Sequence, residues 1–304
     1  MDKKLIADLK KAVKGKILVR EKLSMHTSFR IGGPADIWVE PSDTKELKKI
    51  ILFASERNVS LFVIGTGSNV LVNDSGVEGI VIHLGASSFR SIKIKGNNVT
   101  VGAGYSMSAL VRLCCEKGLA GMESMTGIPG TVGGAIHMNA GGSTNPIFKN
   151  IGDFVTSVKV MEPNGSIKRL KREDIQFGYR CSSLHSYIII EATLKLEKGD
   201  KAILNSSRIK FLDMKKQKQA LDAYSAGCVF KNPENFQFTC GQMIDMLGLK
   251  GASVGGAEVS GKHANFIINK KDASCRDVIE LIKFIKTKVK DNYNIDLELE
   301  IKVI

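Results

Sequence analysis

The sequence predicts an α+β fold in which strands and helices mix irregularly. Three observations carry this. Segments alternating with period two and segments of helical period follow one another without the strand–helix–strand rhythm of a doubly wound sheet. Turns rich in Gly, Asn and Pro separate consecutive strand segments, as in antiparallel hairpins. The chain has 304 residues, 43% hydrophobic and 25% charged, which is enough for more than one core at an ordinary globular composition.

The elements can be justified in order. Residues 3–14 have the pattern of a short amphipathic helix, and 24–40 read as a turn bent at Gly32-Gly33-Pro34 and then a strand. Residues 43–57 predict a helix: Asp43 and Glu46 have capping-box spacing, and Leu47, Ile50, Ile51 and Ala54 line one face. LFVIG (61–65), a Gly-rich loop and GIVIHL (79–84) follow. SIKIKGNNVTV (91–101) alternates on both sides of a Gly-Asn-Asn turn, as a hairpin does. A helix over 106–117 carries Met107, Leu110, Val111 and Cys114 on one stripe, so its cysteines are expected to be packing residues.

Strands are predicted at 154–161, 166–170 and 187–196, and a polar boundary at 197–205. A basic helix over 206–219 leads into SAGCVFKNP (225–233). A helix over 275–290 places Val278, Ile279, Ile282, Ile285 and Val289 inward, and LELEIKVI (297–304) has the alternation of a strand.

Composition narrows function. No apolar run approaches the roughly 20 residues that span a bilayer, and the N-terminus lacks a signal-peptide core. A cytoplasmic protein without a membrane partner is expected. The six cysteines form no CxxC pair, and Cys181 with His185 has no second pair beside it, so no metal site is expected. The net charge of +13 fits either a nucleic-acid binder or a site for small anions. Five Tyr and one Trp leave little to stack on bases, so no nucleic-acid partner is expected.

Two of the glycine clusters stand out: GTGSN (65–69) and GIPGTVGGAIHMNAGG (127–142). Glycine lets backbone N–H groups approach an anion with no Cβ in the way, and two such loops could cradle one pyrophosphate. The usual dinucleotide fingerprint is absent, because position 70 is Val and no helix opens after it.

HTSFRIGGPADIWVEP, VIGTGSNVLVNDSGVEGIVIHL, GIPGTVGGAIHMNAGG, FGYRCSSLH, SAGCVFKNP, GASVGGAEVSGKHANFIIN and LELEIKVI occur in that order. From about Leu23 to the last residue the chain resembles the UDP-N-acetylenolpyruvoylglucosamine reductase family of bacterial peptidoglycan synthesis. The short tract between Arg180 and Cys228 resembles its type II subgroup. The resemblance implies a two-part FAD-binding domain of the vanillyl-alcohol-oxidase type and a C-terminal α+β substrate-binding domain. The corresponding division is 1–84 and 85–205 for the flavin parts and 206–296 for the substrate domain, with 297–304 returning near the first part. It also implies a monomer acting on UDP-N-acetylglucosamine enolpyruvate. FAD would take a hydride from NADPH and pass it to C3 of the enolpyruvyl group, with a proton delivered to C2.

Site residues follow motif by motif. Arg180 in GYR matches the arginine that stabilises the enolate, and Glu300 matches its partner carboxylate; alternation along the last strand does not choose between Glu298 and Glu300. Tyr179, Lys231 and Asn232 match substrate-binding positions. Gly65, Thr66, Gly67, Ser68, Asn69 and Val70, with Gly127, Ile128, Pro129, Gly130 and Gly134, match flavin-binding stretches. Cys228 stands where the family places a serine proton donor. Residue chemistry alone leaves Cys228 open as nucleophile, metal ligand, donor or filler. A nucleophile needs a base, and His263 is the one distant candidate; a metal ligand needs co-ligands. A free thiol, with a pKa of about 8.5, releases a proton far more readily than a serine hydroxyl, while cations such as Arg180 and Lys231 would favour thiolate. Other departures are Ala220 and Tyr224 where prolines are usual, NAGGSTN from 139, and LELEIK near the end.

Overall fold

The computed structural model describes residues 3–142, 148–234 and 236–304, so positions 143–145 of the NAGGSTN departure lie outside the described residues. The chain divides into two compact units. One comprises 1–20, 36–65 and 78–213; the other comprises 21–35, 66–77 and 214–304.

The first unit is built on two sheets. In one, the strands run in the order Lys16–Lys22, Pro34–Glu40, Val77–His83, Leu61–Ile64. Leu61–Ile64 lies parallel to Val77–His83, with Leu61 opposite Ile80 and Ile64 opposite His83. The other sheet is an antiparallel five-stranded array in the order Ile167–Lys171, Val155–Met161, Ile188–Lys195, Asn98–Gly102, Ile92–Lys95. Period-two burial along these strands sends Val99, Val101, Val158, Val160, Ala192 and Leu194 into the core. The helix Thr44–Glu56 buries Leu47, Ile50, Ile51 and Ala54, as the stripe predicts. The helix Met107–Glu116 buries Met107, Leu110, Val111, Cys114 and Cys115. Burial raises the thiols of Cys114 and Cys115 to about 12 and about 11, and they act as packing groups.

The second unit has its own core, to which Phe29, Ile31 and Leu71 contribute from the two early segments. Its sheet runs Ser225–Cys228, Phe266–Asn269, Ala257–Val259, Ser253–Val254, all antiparallel. The helix Cys275–Tyr293 covers it, capped by a Ser274–Asp277 box. Asp74 reinforces that start: its carboxylate accepts from the N–H groups of Cys275 at 2.8 Å and Arg276 at 3.1 Å.

Four elements differ from expectation for physical reasons. The basic helix expected over 206–219 starts earlier, at Lys201, because Asp200 accepts from Ala202 and Ile203 N–H at its start. In the helix Thr44–Glu56, Asp43 caps as predicted, but Glu46 turns away from the box to reach Ser42, Lys14 and Gly15. In the helix Cys275–Tyr293, Leu281 is buried with Val278, Ile282, Ile285 and Val289, and Ile279 is only partly buried. LELEIKVI is not one strand: only Lys302–Val303 is, pairing in parallel with Val70–Leu71, and Leu299 makes a lone bridge with Phe230.

Candidate active site

The predicted catalytic trio is divided between the units, with Arg180 in the first and Cys228 and Glu300 in the second. In the first unit, Tyr179 and Arg180 form the two-residue tip of a hairpin in which Phe177 pairs with Ser182 and Gly178 with Cys181. Arg180 takes a left-handed backbone, φ 55°. Its guanidinium lies 5.1 Å from the centroid of the Tyr179 ring, and Nη1 donates to the Gly142 carbonyl at 3.3 Å. The hairpin is fastened from below. Asn139, also at positive φ and buried, donates through Nδ2 to Gly178 O at 2.9 Å and accepts at Oδ1 from Gly152 N–H at 3.1 Å. Ser182 Oγ donates to His137 O at 2.9 Å.

The same unit holds Gly65 of the first glycine-rich loop and all of 127–142. A Cβ on Gly65 would lie 2.7 Å from Thr131 Oγ1, so only glycine lets the two loops approach this closely. Thr131 caps the short helix Val132–His137, accepting from Gly134 N–H. Gly127 and Gly130 take positive φ on either side of Ile128 and Pro129.

In the second unit, Gly67 at φ 61° packs on the chain at His26 and Thr27, where a Cβ would fall 2.4 Å from His26 O. Two residues on, Asn69 meets the end of the chain: its Nδ2 donates to Glu300 O at 3.2 Å, and its carbonyl accepts from Lys302 N–H at 2.9 Å. Ser68 precedes this junction and Val70 pairs with Lys302. Glu300 N–H donates to Val229 O at 2.8 Å, and Lys231 N–H donates to Glu298 O at 2.9 Å. Residues 298–300 therefore run beside 229–231, directly after Cys228.

The two glutamates differ in their surroundings. Glu298 pairs with Lys231 Nζ at 3.3 Å, with three quarters of its side chain exposed. Glu300 is half-buried, and after burial its charge is the second cause that raises the Cys240 thiol to about 12. Cys240 Sγ donates to Lys231 O at 2.8 Å, and Asn232 Oδ1 accepts from Cys240 N–H at 3.0 Å, so the helix start at Cys240 holds the Lys231–Asn232 pair. Cys228 itself closes the strand Ser225–Cys228 opposite Phe266, after Gly227 at φ 78°. His263 has structural work: its Nδ1 accepts from Asn265 N–H at 3.2 Å, its ring packs on Phe266, and burial, with the Lys250 charge, lowers its pKa.

The comparisons with known proteins bear on this geometry. The family model "UDP-N-acetylenolpyruvoylglucosamine reductase, C-terminal domain" matches residues 219–304, and "FAD binding domain" matches 35–171. The UDP-N-acetylenolpyruvoylglucosamine reductases of Bacillus subtilis (strain 168) and Bacillus licheniformis are 38% and 39% identical to this chain, over 99% of it and 98% of their own length. The chain belongs to the UDP-N-acetylenolpyruvoylglucosamine reductase family. The crystal structure of the Thermus caldophilus reductase (MurB) agrees, with a TM-score of 0.81 at 33% identity, covering 95% of this chain and 98% of that one. Membership of this reductase family bears out the expected resemblance, the α+β fold class, the flavin-binding domain and the assignment as an enzyme with FAD as cofactor. Sequence reading missed Asn139 and Asn265, whose side chains grip backbone from far along the chain. The run KHANF gave no sign of this, because one asparagine bonding to distant peptide groups has no periodicity.

Proposed function

We propose that the chain carries out the NADPH-dependent, FAD-mediated reduction of UDP-N-acetylglucosamine enolpyruvate to UDP-N-acetylmuramate, in the cytoplasm and as a monomer. Among the described residues no helix is long and apolar enough to cross a membrane. The residues present suit a flavin: within the first unit Gly65 leaves its backbone bare against Thr131, and Gly127 and Gly130 take positive φ just before it; Thr66, Gly67, Ser68, Asn69 and Val70 follow Gly65 in the chain. Gly134 and Pro129 belong to the stretch of Gly127 and Gly130. When bound, FAD supplies the chemistry of accepting a hydride from NADPH and giving it to C3 of the enolpyruvyl group.

The chain's own residues handle charge and proton. Hydride addition at C3 leaves negative charge on C2 and its carboxylate. Arg180 is suited to that charge, since a guanidinium stays protonated and grips a carboxylate through two N–H groups. A cation fixed before the reaction stabilises the charged transition state more than the ground state. Tyr179, Lys231 and Asn232 orient the substrate. Cys228 Sγ delivers the proton to C2, and the Glu300 carboxylate works beside it. The observation that carries this reading is the short ladder of Glu300 and Glu298 against Val229 and Lys231, which holds a carboxylate next to the chain that bears the thiol.

The test uses purified protein supplied with FAD. Wild type should oxidise NADPH in step with loss of the enolpyruvyl substrate. Cys228→Ala should accept electrons from NADPH normally yet reduce the substrate about 10²–10⁴-fold more slowly, the usual weight of a positioned acid. Cys228→Ser should recover turnover. Near wild-type turnover in Cys228→Ala would make the cysteine a filler, and absence of flavin and turnover in wild type would end the functional reading.

A further inference from the structure

Cys228 and Lys231 stand three residues apart on a chain that leaves its sheet between them. The strand Ser225–Cys228 pairs with Phe266–Asn269 up to Cys228 opposite Phe266, and the ladder is irregular there. Beyond that point, Val229 and Phe230 are both buried, at 1% exposure, where their peptide groups need partners. One residue supplies nearly all of them. Asn265 O accepts from Val229 N–H at 2.8 Å, Asn265 Oδ1 accepts from Phe230 N–H at 3.0 Å, and Asn265 Nδ2 donates to Phe230 O at 2.8 Å. The primary amide thus takes both the donor and the acceptor of one residue, as a neighbouring peptide would in a sheet. Asn265 is itself only 4% exposed, and its own N–H is held by His263 Nδ1. Glu300 N–H completes the set at Val229 O.

We propose that Asn265 is the positioning residue that aims Cys228 and Lys231, acting as a side-chain substitute for a missing strand at Phe230. This rests on the reaction proposed above. The physical reason is continuity of backbone. With Val229 and Phe230 fixed on both edges, the Cα positions of Cys228 and Lys231 are fixed too. Asparagine has the chemistry and the length for this: a carboxylate lacks the donor, a hydroxyl lacks the reach to both groups, an alkyl group leaves two buried peptide groups unpaired, and glutamine sets the same amide one methylene further out. A displacement of about 1 Å at a donor can cost on the order of 10²-fold in rate.

The test separates the two half-reactions in one protein. FAD-loaded Asn265→Asp keeps the shape and the acceptor and loses the donation to Phe230 O. It should accept electrons from NADPH within about two-fold of wild type, while its reoxidation by UDP-N-acetylglucosamine enolpyruvate slows by about 30-fold or more, with a larger solvent deuterium isotope effect on that step. Equal rates in both halves, or a parallel fall in both together with flavin content, would overturn the proposal. Hydrogen exchange in wild type gives a reading that needs no variant: the Phe230 amide should exchange only through global unfolding, and rapid exchange there would overturn the clamp. Failure of wild type to turn over the substrate would strike the functional reading, and the Phe230 exchange result would still decide the clamp.

Discussion

Arg180 occupies a left-handed backbone at φ 55°, a conformation that residues with a Cβ adopt uncommonly and that concentrates at functional sites. Asn139 and Ser182 tie the hairpin that carries it to the end of the helix Val132–His137 and the segment after it. A lysine at this position would keep a charge and lose the two-pronged grip on a carboxylate. Arg180→Lys should therefore lower kcat/KM for the enolpyruvyl substrate by about 10²-fold, while flavin reduction by NADPH, followed by stopped flow, stays near wild type. An unchanged kcat/KM would remove Arg180 from the enolate. The motifs GYR, SAGC and LELE are what single out Arg180, Cys228 and Glu300 as candidates in the sequence. Asn139 and Asn265 were not legible, because their function lies in bonds to peptide groups 39 and 35 positions away. Nothing in local spacing records such a bond.

Secondary structure was most legible where one residue dictates one local bond. Asp43 is such a case: its side chain accepts from Lys45 and Glu46 N–H, and the helix starts where the spacing said. Glu46 shows the limit. Its spacing suggested a capping box, but a nearby turn offered better donors, and its carboxylate collects the N–H groups of Ser42, Lys14 and Gly15. Tertiary bonds overrode the local motif, as they did where isolated bridging replaced the regular strand expected over 297–304. The consequence is measurable. Burial at Glu46 raises its pKa, and the bonds from Ser42, Lys14 and Gly15 outweigh burial, so the net shift is downward from 4.5. A carboxyl with a lowered folded-state pKa stabilises the fold above its unfolded value and loses that contribution as pH falls through the folded value. Urea unfolding of Glu46→Gln should show a loss at pH 7 that narrows below about pH 4. Glu46→Ala, which strands the donors, should cost about 2 kcal/mol. A pH-independent difference between Glu46→Gln and wild type would contradict the assignment.

At the scale of the molecule, the contiguous family match over 219–304 is shorter than the compact unit that contains it. That unit draws on 21–35 and 66–77 for parts that the later segment cannot replace. Phe29, Ile31 and Leu71 are each at most 2% exposed in its core. Asn269 Nδ2 bonds to Phe29 O at 3.0 Å, Asp74 caps the helix Cys275–Tyr293, and Asn73 N–H bonds to Ile304 O at 2.7 Å. Val70–Leu71 is the only strand that Lys302–Val303 pairs with among the described residues. A fragment of residues 214–304 would lack Phe29, Ile31 and Leu71 from its core and leave the last strand unpaired. Losing three large buried side chains from so small a core costs about 2 kcal/mol or more apiece, which is comparable to the whole stability of a domain of that size. The fragment should give a circular dichroism spectrum without cooperative thermal unfolding and poorly dispersed amide resonances. Adding a peptide of residues 66–77 should not restore it, since Phe29 and Ile31 would still be missing. A fragment that melted cooperatively would mean that the early segments decorate this unit and do not build it, and the Asn69 and Asp74 bonds would then be surface fastenings to a core complete without them.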